Sequence, residues 1–374
     1  MKAQDFFNAT VGYRKDWDSN LFRISNQNSF ATQNYRKRSE SIGIASAAID
    51  LEQNYSLNKF ALNATLVDYK YENFRYLSFT GLNYSGYWDW SLTPRFKGRL
   101  ESSRIERPTS YRDYQGFNAR NVYVNRATKL NGEYDLGGQL RVFIGADQIS
   151  ATEEQPVILE GDRSSKSYYA GIRYVESSGS EVAFRLRRGE GSTIGYSDNN
   201  LSSIASNDFR ESSGEIEFRL RTTEKLSVGG RLGIMHRLIN DSALSDYSEP
   251  YGELRSEWQL TQKTKVAAVA QRQVSAYQAI NSSYITTNAV RLVGSWNTTA
   301  KTSIEMQLER GNRMYGGGDS DRTDDYKTVA IELNWAPVRS TSIYLRSRMY
   351  RNASSIFGAN YRYDVISVGA TLKF

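Results

Sequence analysis

The sequence contains no cysteine in its 374 residues, which excludes a disulfide framework, a thiolate metal site and a cysteine nucleophile. It has one histidine, so any histidine-dependent catalytic pair would have to use His236. Proline is scarce, and all five (Pro94, Pro108, Pro156, Pro250 and Pro337) fall in expected turns, loops or strand starts, where a missing N–H costs no ladder bond. No run approaches the roughly 18 consecutive apolar residues that a spanning helix requires. Mean hydropathy is −0.60 with 24% charged residues, which excludes a helical membrane protein. A β-barrel escapes this exclusion, because only alternate residues of each strand face lipid. After Met1-Lys2-Ala3 the chain enters Gln4-Asp5-Phe6 without an apolar signal segment, and we read it as a mature form.

What is abundant is aromatic residues and glycine: 26 Tyr, 15 Phe, 6 Trp and 28 Gly. They sit in segments of period two. Leu82–Leu92 carries Leu82, Tyr84, Trp88, Trp90 and Leu92 on one face, and Ile366–Phe374 carries Ile366, Val368, Ala370, Leu372 and Phe374. Tight connections recur between such segments. They include Ser56–Lys59, Thr93–Arg95, Gly137-Gly138, Ser177–Ser180, Thr223–Lys225, Thr261–Lys263, Thr298–Ala300 and Pro337–Arg339. Longer polar connections alternate with them, such as Asp18–Ser39, Gln155–Ser167, Gly189–Arg210 and Gly316–Asp325. The pattern predicts an all-β protein: one transmembrane antiparallel up-and-down barrel of about 18 strands over residues 1–374, with no separate plug domain. An even count puts both termini on the short-turn side, which is periplasmic in such barrels. A β-propeller would need a shared blade signature, and the chain carries none.

The two faces differ in chemistry. One reads Val182, Phe184, Leu186, then Ile304, Met306, Leu308, then Val329, Ile331, Leu333, Trp335. The other carries charges that lipid cannot accommodate, and which therefore belong in a wet lumen. Its basic members are Arg141, Arg173, Arg185, Arg187, Arg219, Arg221, Arg231, Arg255, Arg291, Arg346 and Arg348. Its acidic and aromatic members are Glu215, Glu217, Glu305, Glu309, Glu332, Tyr344 and Tyr350. Trp90, Trp258, Trp296 and Trp335 precede short turns, the placement of an interfacial girdle.

Guanidinium forks bind carboxylate or sulfate reversibly, aromatic rings offer stacking platforms to sugars, and the net charge of +7 favours an anionic solute. The competing account of each arginine is a structural pair with a glutamate on a neighbouring strand. Catalysis is not expected: His236 lies on the lipid side or near the rim of its strand. The run Gly316–Asp325 resembles a calcium loop but lacks its sixth-position glycine and distal glutamate, so it reads as a solvated loop. No metal, cofactor or nucleic-acid partner is expected.

Two resemblances add to this. The final strand, ending on Phe374, resembles the closing strand of bacterial outer-membrane barrels, whose terminal Phe is an assembly signal. It implies delivery to the outer membrane by the barrel assembly machinery, with outer-membrane lipid and lipopolysaccharide as surroundings. The segment Gly12-Tyr13-Arg14-Lys15-Asp16-Trp17-Asp18-Ser19-Asn20-Leu21-Phe22-Arg23-Ile24 resembles the opening of EpsL-type outer-membrane proteins of exosortase-associated exopolysaccharide operons. That likeness implies a monomeric conduit for an exported polysaccharide, working beside a periplasmic polysaccharide export protein and inner-membrane synthesis machinery. Asp18, Asn20 and Arg23 match the motif, and bracing of the first loop against the barrel is the role expected of them. The alternatives are a porin or specific channel for small anionic solutes, and a structural or adhesive barrel with an occluded lumen.

Overall fold

The computed structural model describes residues 7–25, 37–112, 119–154, 162–194, 206–240, 246–279, 282–317 and 321–374. Eighteen strands run through them in chain order. The first six are β1 (Phe7–Asp18), β2 (Glu40–Tyr55), β3 (Asn58–Tyr71), β4 (Phe79–Thr93), β5 (Phe96–Pro108) and β6 (Val122–Gly137). The next six are β7 (Leu140–Glu153), β8 (Asp162–Val175), β9 (Glu181–Ile194), β10 (Ser206–Arg221), β11 (Leu226–Ile239) and β12 (Tyr247–Gln259). The last six are β13 (Thr264–Ala279), β14 (Ser282–Asn297), β15 (Thr302–Gly316), β16 (Thr323–Val338), β17 (Thr341–Ser354) and β18 (Tyr361–Lys373). Each pairs antiparallel with its sequence neighbours, and β1 pairs with both β2 and β18, so the sheet closes on itself.

Closure satisfies the backbone, which is what a spanning structure needs where no water reaches. The side chains then sort by parity. Along β16, Val329, Ile331, Leu333 and Trp335 are exposed on the outer wall, while Asp324, Tyr326, Thr328 and Ala330 are buried inside. Register keeps the outer wall apolar across strands: Leu308 faces Val329, Met306 faces Ile331 and Ile304 faces Leu333. Trp258, Trp296 and Trp335 are exposed on the outer wall near the short turns, where a girdle belongs. At the seam, the Phe374 and Ala9 backbones exchange hydrogen bonds of 2.8 and 3.2 Å.

The short turns lie at the end that holds both termini, with one exception, the two-residue link from Ala279 on β13 to Ser282 on β14 at the other end. Between β6 and β7 the chain reverses through Gly137 and Gly138, whose φ values of 96° and 68° suit a residue without Cβ. At the other end the strands outrun the apolar pattern. A 16-residue strand is about 54 Å long and, tilted by about 40°, climbs about 40 Å, against an apolar band about 25 Å tall. The connections expected at Gly189–Arg210, Gln155–Ser167 and Gly316–Asp325 are accordingly shorter, because the ladder continues to Ile194 and resumes at Ser206, Asp162 and Thr323. Beyond lipid, outward residues need not be apolar, so alternation fades while ladder hydrogen bonds persist.

Candidate functional site

Every arginine expected in the lumen takes a luminal register position, but most are already neutralised. Glu133 accepts from Arg141 (3.2 Å) and Arg173 (2.9 Å), and Arg185 bridges Glu215 (2.6 Å) and Glu217 (3.2 Å). Arg187 meets Asp147 at 2.8 Å, Arg219 meets Glu181 at 3.5 Å, Arg255 meets Glu257 at 2.6 Å and Arg291 meets Glu309 at 2.7 Å. Arg346 is paired with Glu332. Among the described residues, Arg221, Arg231 and Arg348 have no carboxylate partner, and neither does Glu305 a cation. The structural pair, the competing account of each arginine, accounts for eight of these eleven. A pair as exposed as Arg255–Glu257 contributes about 0.2–1 kcal/mol, whereas Asp147 and Glu215 are buried carboxylates that need their arginine partners.

The densest group spans β6 to β10. Arg141 lies directly opposite Arg173 across β7 and β8, and Arg185 and Arg187 follow on β9. Aromatic rings back them: Arg173 and Arg185 lie 5.3 and 5.5 Å from the Phe143 ring, and Arg185 and Arg187 lie 5.0 and 5.3 Å from the Tyr169 ring. Tyr251 donates to Glu215 at 2.9 Å, fixing that carboxylate from the side. The result is a row of guanidinium groups with carboxylates set beside them and side chains still 20–32% exposed. Such groups can exchange a wall carboxylate for a solute carboxylate with little rearrangement.

The opposite wall, nine strands around the ring, is aromatic. Tyr326 stacks on Tyr350 (5.9 Å between centroids), and Tyr350 stacks on Tyr361 (5.6 Å) and Tyr363 (4.9 Å). Arg313 lies 4.2 Å over Tyr326 and donates to the Tyr350 hydroxyl, while Arg23 lies 3.5 Å over Tyr363. Tyr350 is thus buried among other rings rather than presenting an open stacking face. Tyr344 covers Gly369, where a Cβ would come within 2.5 Å of its ring.

The opening motif does brace the first connection. Asp18 accepts from Arg23 at 2.8 Å and from the Asn20 backbone at 2.9 Å. Asn20 exchanges hydrogen bonds with Ile24 and donates to the Arg362 carbonyl on β18 at 3.0 Å. Arg23 itself takes a left-handed φ of 55° to close this turn. Phe22, fully buried, then packs with Leu21, Ile24, Tyr71 and Leu77 inside the long-loop mouth. The Glu40 carboxylate accepts from the backbones of Asn73 (3.0 Å) and Phe74 (2.8 Å), fixing the β3–β4 connection beneath that cluster. In the β5–β6 connection, Arg120 holds Glu154, and this hydrogen bond raises its pKa above the usual guanidinium range.

The sequence reading missed Phe143, Asp147, Tyr169, Glu133, Glu40, Arg313 and the Arg237–Glu211 pair. Luminal parity marks the strand residues, but register alone shows which of them meet. His236 faces outward between Ser212 and Ser248, away from the luminal groups. Asp324, in the run likened to a calcium loop, is occupied by Arg322 at 2.6 Å and the Ser354 hydroxyl at 2.5 Å.

A closed eighteen-stranded barrel with an apolar outer wall and a charged lumen is a porin-like channel protein. The chain belongs to the family described as "Putative beta-barrel porin 2", whose model matches residues 24–374. Its fold is that of the Pseudomonas aeruginosa outer-membrane proteins OpdK, solved with vanillate, and OccK2 (OpdF), solved in complex with glucuronate. Each is 11% identical with a TM-score of 0.55; the alignments cover 98% of this chain and 99% and 98% of theirs. OccK9 (OpdG) from the same organism gives 9% identity and a TM-score of 0.54 over 98% of both chains. No curated protein matches the chain.

Proposed function

We propose that this protein is a diffusion channel of the bacterial outer membrane for small anionic solutes, with the short turns and both termini on the periplasmic side. The observation that carries this reading is the guanidinium row Arg141, Arg173, Arg185 and Arg187, fixed by neighbouring carboxylates and rings yet open to the lumen. The unpaired Arg221, Arg231 and Arg348 add to it. Vanillate and glucuronate, the solutes recorded with two proteins of the same fold, each carry a carboxylate, the group a guanidinium fork accepts.

The test is reconstitution in planar bilayers, with reversal potentials in a salt gradient and current block by added uronate or aromatic carboxylate. Anion preference with concentration-dependent block is expected. A cation-preferring pore indifferent to both carboxylates would overturn the proposal. The polysaccharide-conduit reading keeps one supporting observation, the built turn formed by Asp18, Asn20 and Arg23. Against it, the Tyr350 ring that a sugar chain would use is covered by its neighbours. Block by an exported polymer and indifference to small carboxylates would reverse the order of the two readings. The partners implied by export, a periplasmic export protein and an inner-membrane polymerase, stand or fall with that outcome.

A further inference from the structure

The outer wall carries a second cationic row whose side chains, unlike most luminal arginines, make no ion pair among the described residues. Arg310 on β15 faces Lys327 on β16, Lys327 faces Arg351 on β17, and Arg351 faces Arg362 on β18. These are four like charges directly abreast on consecutive strands, an arrangement that is destabilising unless an anion offsets it. All four side chains are exposed, and among the described residues none makes an ion pair or a side-chain hydrogen bond. The contrast with the lumen is in pairing: there neighbouring carboxylates take up most arginines, whereas here Asp325 and Asp364, at neighbouring outward positions, pair with none of the four among the described residues.

Position tells what could fill it. The next outward residue toward the short turns is apolar on three of the strands: Leu308, Val329 and Met349, all exposed. On β18, Asp364 and then exposed Ile366 follow Arg362. The row therefore sits at the upper edge of the lipid-facing band, where headgroups lie. It opens into a hollow of about 1110 Å³ at the barrel rim, lined by these four cations, by Arg38, Asp325 and Asp364, by Asn20 of the first connection, and by Tyr326, Asn352 and Tyr361 at the strand ends. Five cations against two carboxylates leave that hollow with a net charge of plus three. Three strand spacings make the row about 14 Å wide, enough for a disaccharide headgroup. A zwitterionic phospholipid would bring an ammonium group into this field. A glycolipid phosphorylated at both ends of a disaccharide brings only anions, and arginine forks bind phosphate bidentately.

We propose that Arg310, Lys327, Arg351 and Arg362 form a binding site for the bisphosphorylated headgroup of an outer-leaflet glycolipid. The proposal rests on the outer-membrane orientation given above, with the long-loop end outward, and not on what passes through the lumen. The test is native mass spectrometry of the full barrel in detergent, with four probes: bisphosphorylated lipid A, the same lipid with both phosphates removed, phosphatidylglycerol, and millimolar inorganic phosphate as competitor. The wild-type barrel is expected to retain bisphosphorylated lipid A and to release the dephosphorylated form, with no displacement by inorganic phosphate. The R310Q/K327Q/R351Q/R362Q variant is expected to bind it about ten-fold or more weakly, the equivalent of at least one charge-assisted contact. Should that variant fail to fold, R310Q/R351Q and K327Q/R362Q are each expected to show a smaller loss in the same direction. Unchanged binding in the variants, equal retention of phosphatidylglycerol, or displacement by free phosphate would each overturn the site. Single-channel conductance of the variant is expected to match wild type, so failure here is distinguishable from failure of the channel reading.

Discussion

Replacing Phe22 by alanine probes whether the first connection narrows the channel mouth. The ring is fully buried and meets Phe74 and Tyr111 edge-on at 4.9 Å each. A buried Phe→Ala change costs about 3–5 kcal/mol, of which two edge contacts account for about 1–3. Phe22 lies outside the strands, and among the tethers of this turn are Asp18–Arg23, Asn20–Arg362 and the Leu21–Arg38 backbone bond. The cost therefore falls on docking of the connection and not on the barrel. A loss of about 3 kcal/mol raises the undocked population on the order of 100-fold. Two assays read this out. Trypsin cleavage after Arg23 and Arg38 in the folded barrel tracks that population, provided reclosing outpaces cleavage. Single-channel conductance rises if the cluster occupies the mouth. Cleavage and conductance both equal to wild type would refute the reasoning. So would loss of heat-resistant electrophoretic mobility, because the cluster would then be supporting the wall.

Three further outcomes are expected. Glu133→Gln removes the carboxylate shared by Arg141 and Arg173, so the anion-to-cation permeability ratio measured by reversal potential rises. Arg185→Gln removes the counter-charge of Glu215, whose side chain is only 8% exposed and which keeps the Tyr251 hydrogen bond, and lowers the same ratio; losing the charged partner costs about 1–3 kcal/mol, visible as a lower unfolding temperature in detergent. Gly145→Ala places a Cβ 2.2 Å from the Tyr169 ring and 2.8 Å from the Leu130 carbonyl oxygen, so a loss of about 1–3 kcal/mol and less heat-resistant barrel on gels are expected.

What was legible in the sequence follows from where lipid imposes a rule. Val329–Trp335 and Ile304–Leu308 had to alternate, so strand number, parity and the luminal set could be read directly. The upper strand ends were not legible, because the backbone ladder runs on to Ile194 and Ser206, past the apolar alternation that marks the lower strands. Pairing was not legible either. Arg185 meets Glu215 through the β9–β10 register, and Asn20 meets a carbonyl 342 residues away. The parity of Tyr350 can be read from the sequence, but its use as a platform depended on Tyr326, Tyr361 and Tyr363 arriving from two other strands.

The β1–β18 seam has a consequence for how the molecule comes to exist. Most neighbouring strands in this sheet meet across a short connection, whereas Asp18 meets Val365 only after almost the entire chain has been laid down. Joining ends so far apart costs on the order of 5 kcal/mol of chain entropy in free solution, several times the cost of closing a tight hairpin. Until that step is complete, two rows of unpaired N–H and C=O groups face outward, a state that lipid penalises and that invites pairing with other chains. Partial barrels are therefore not stable halfway products. Assembly requires something that shelters both edges until the last strand arrives, and once the seam is made no edge remains from which unravelling can begin.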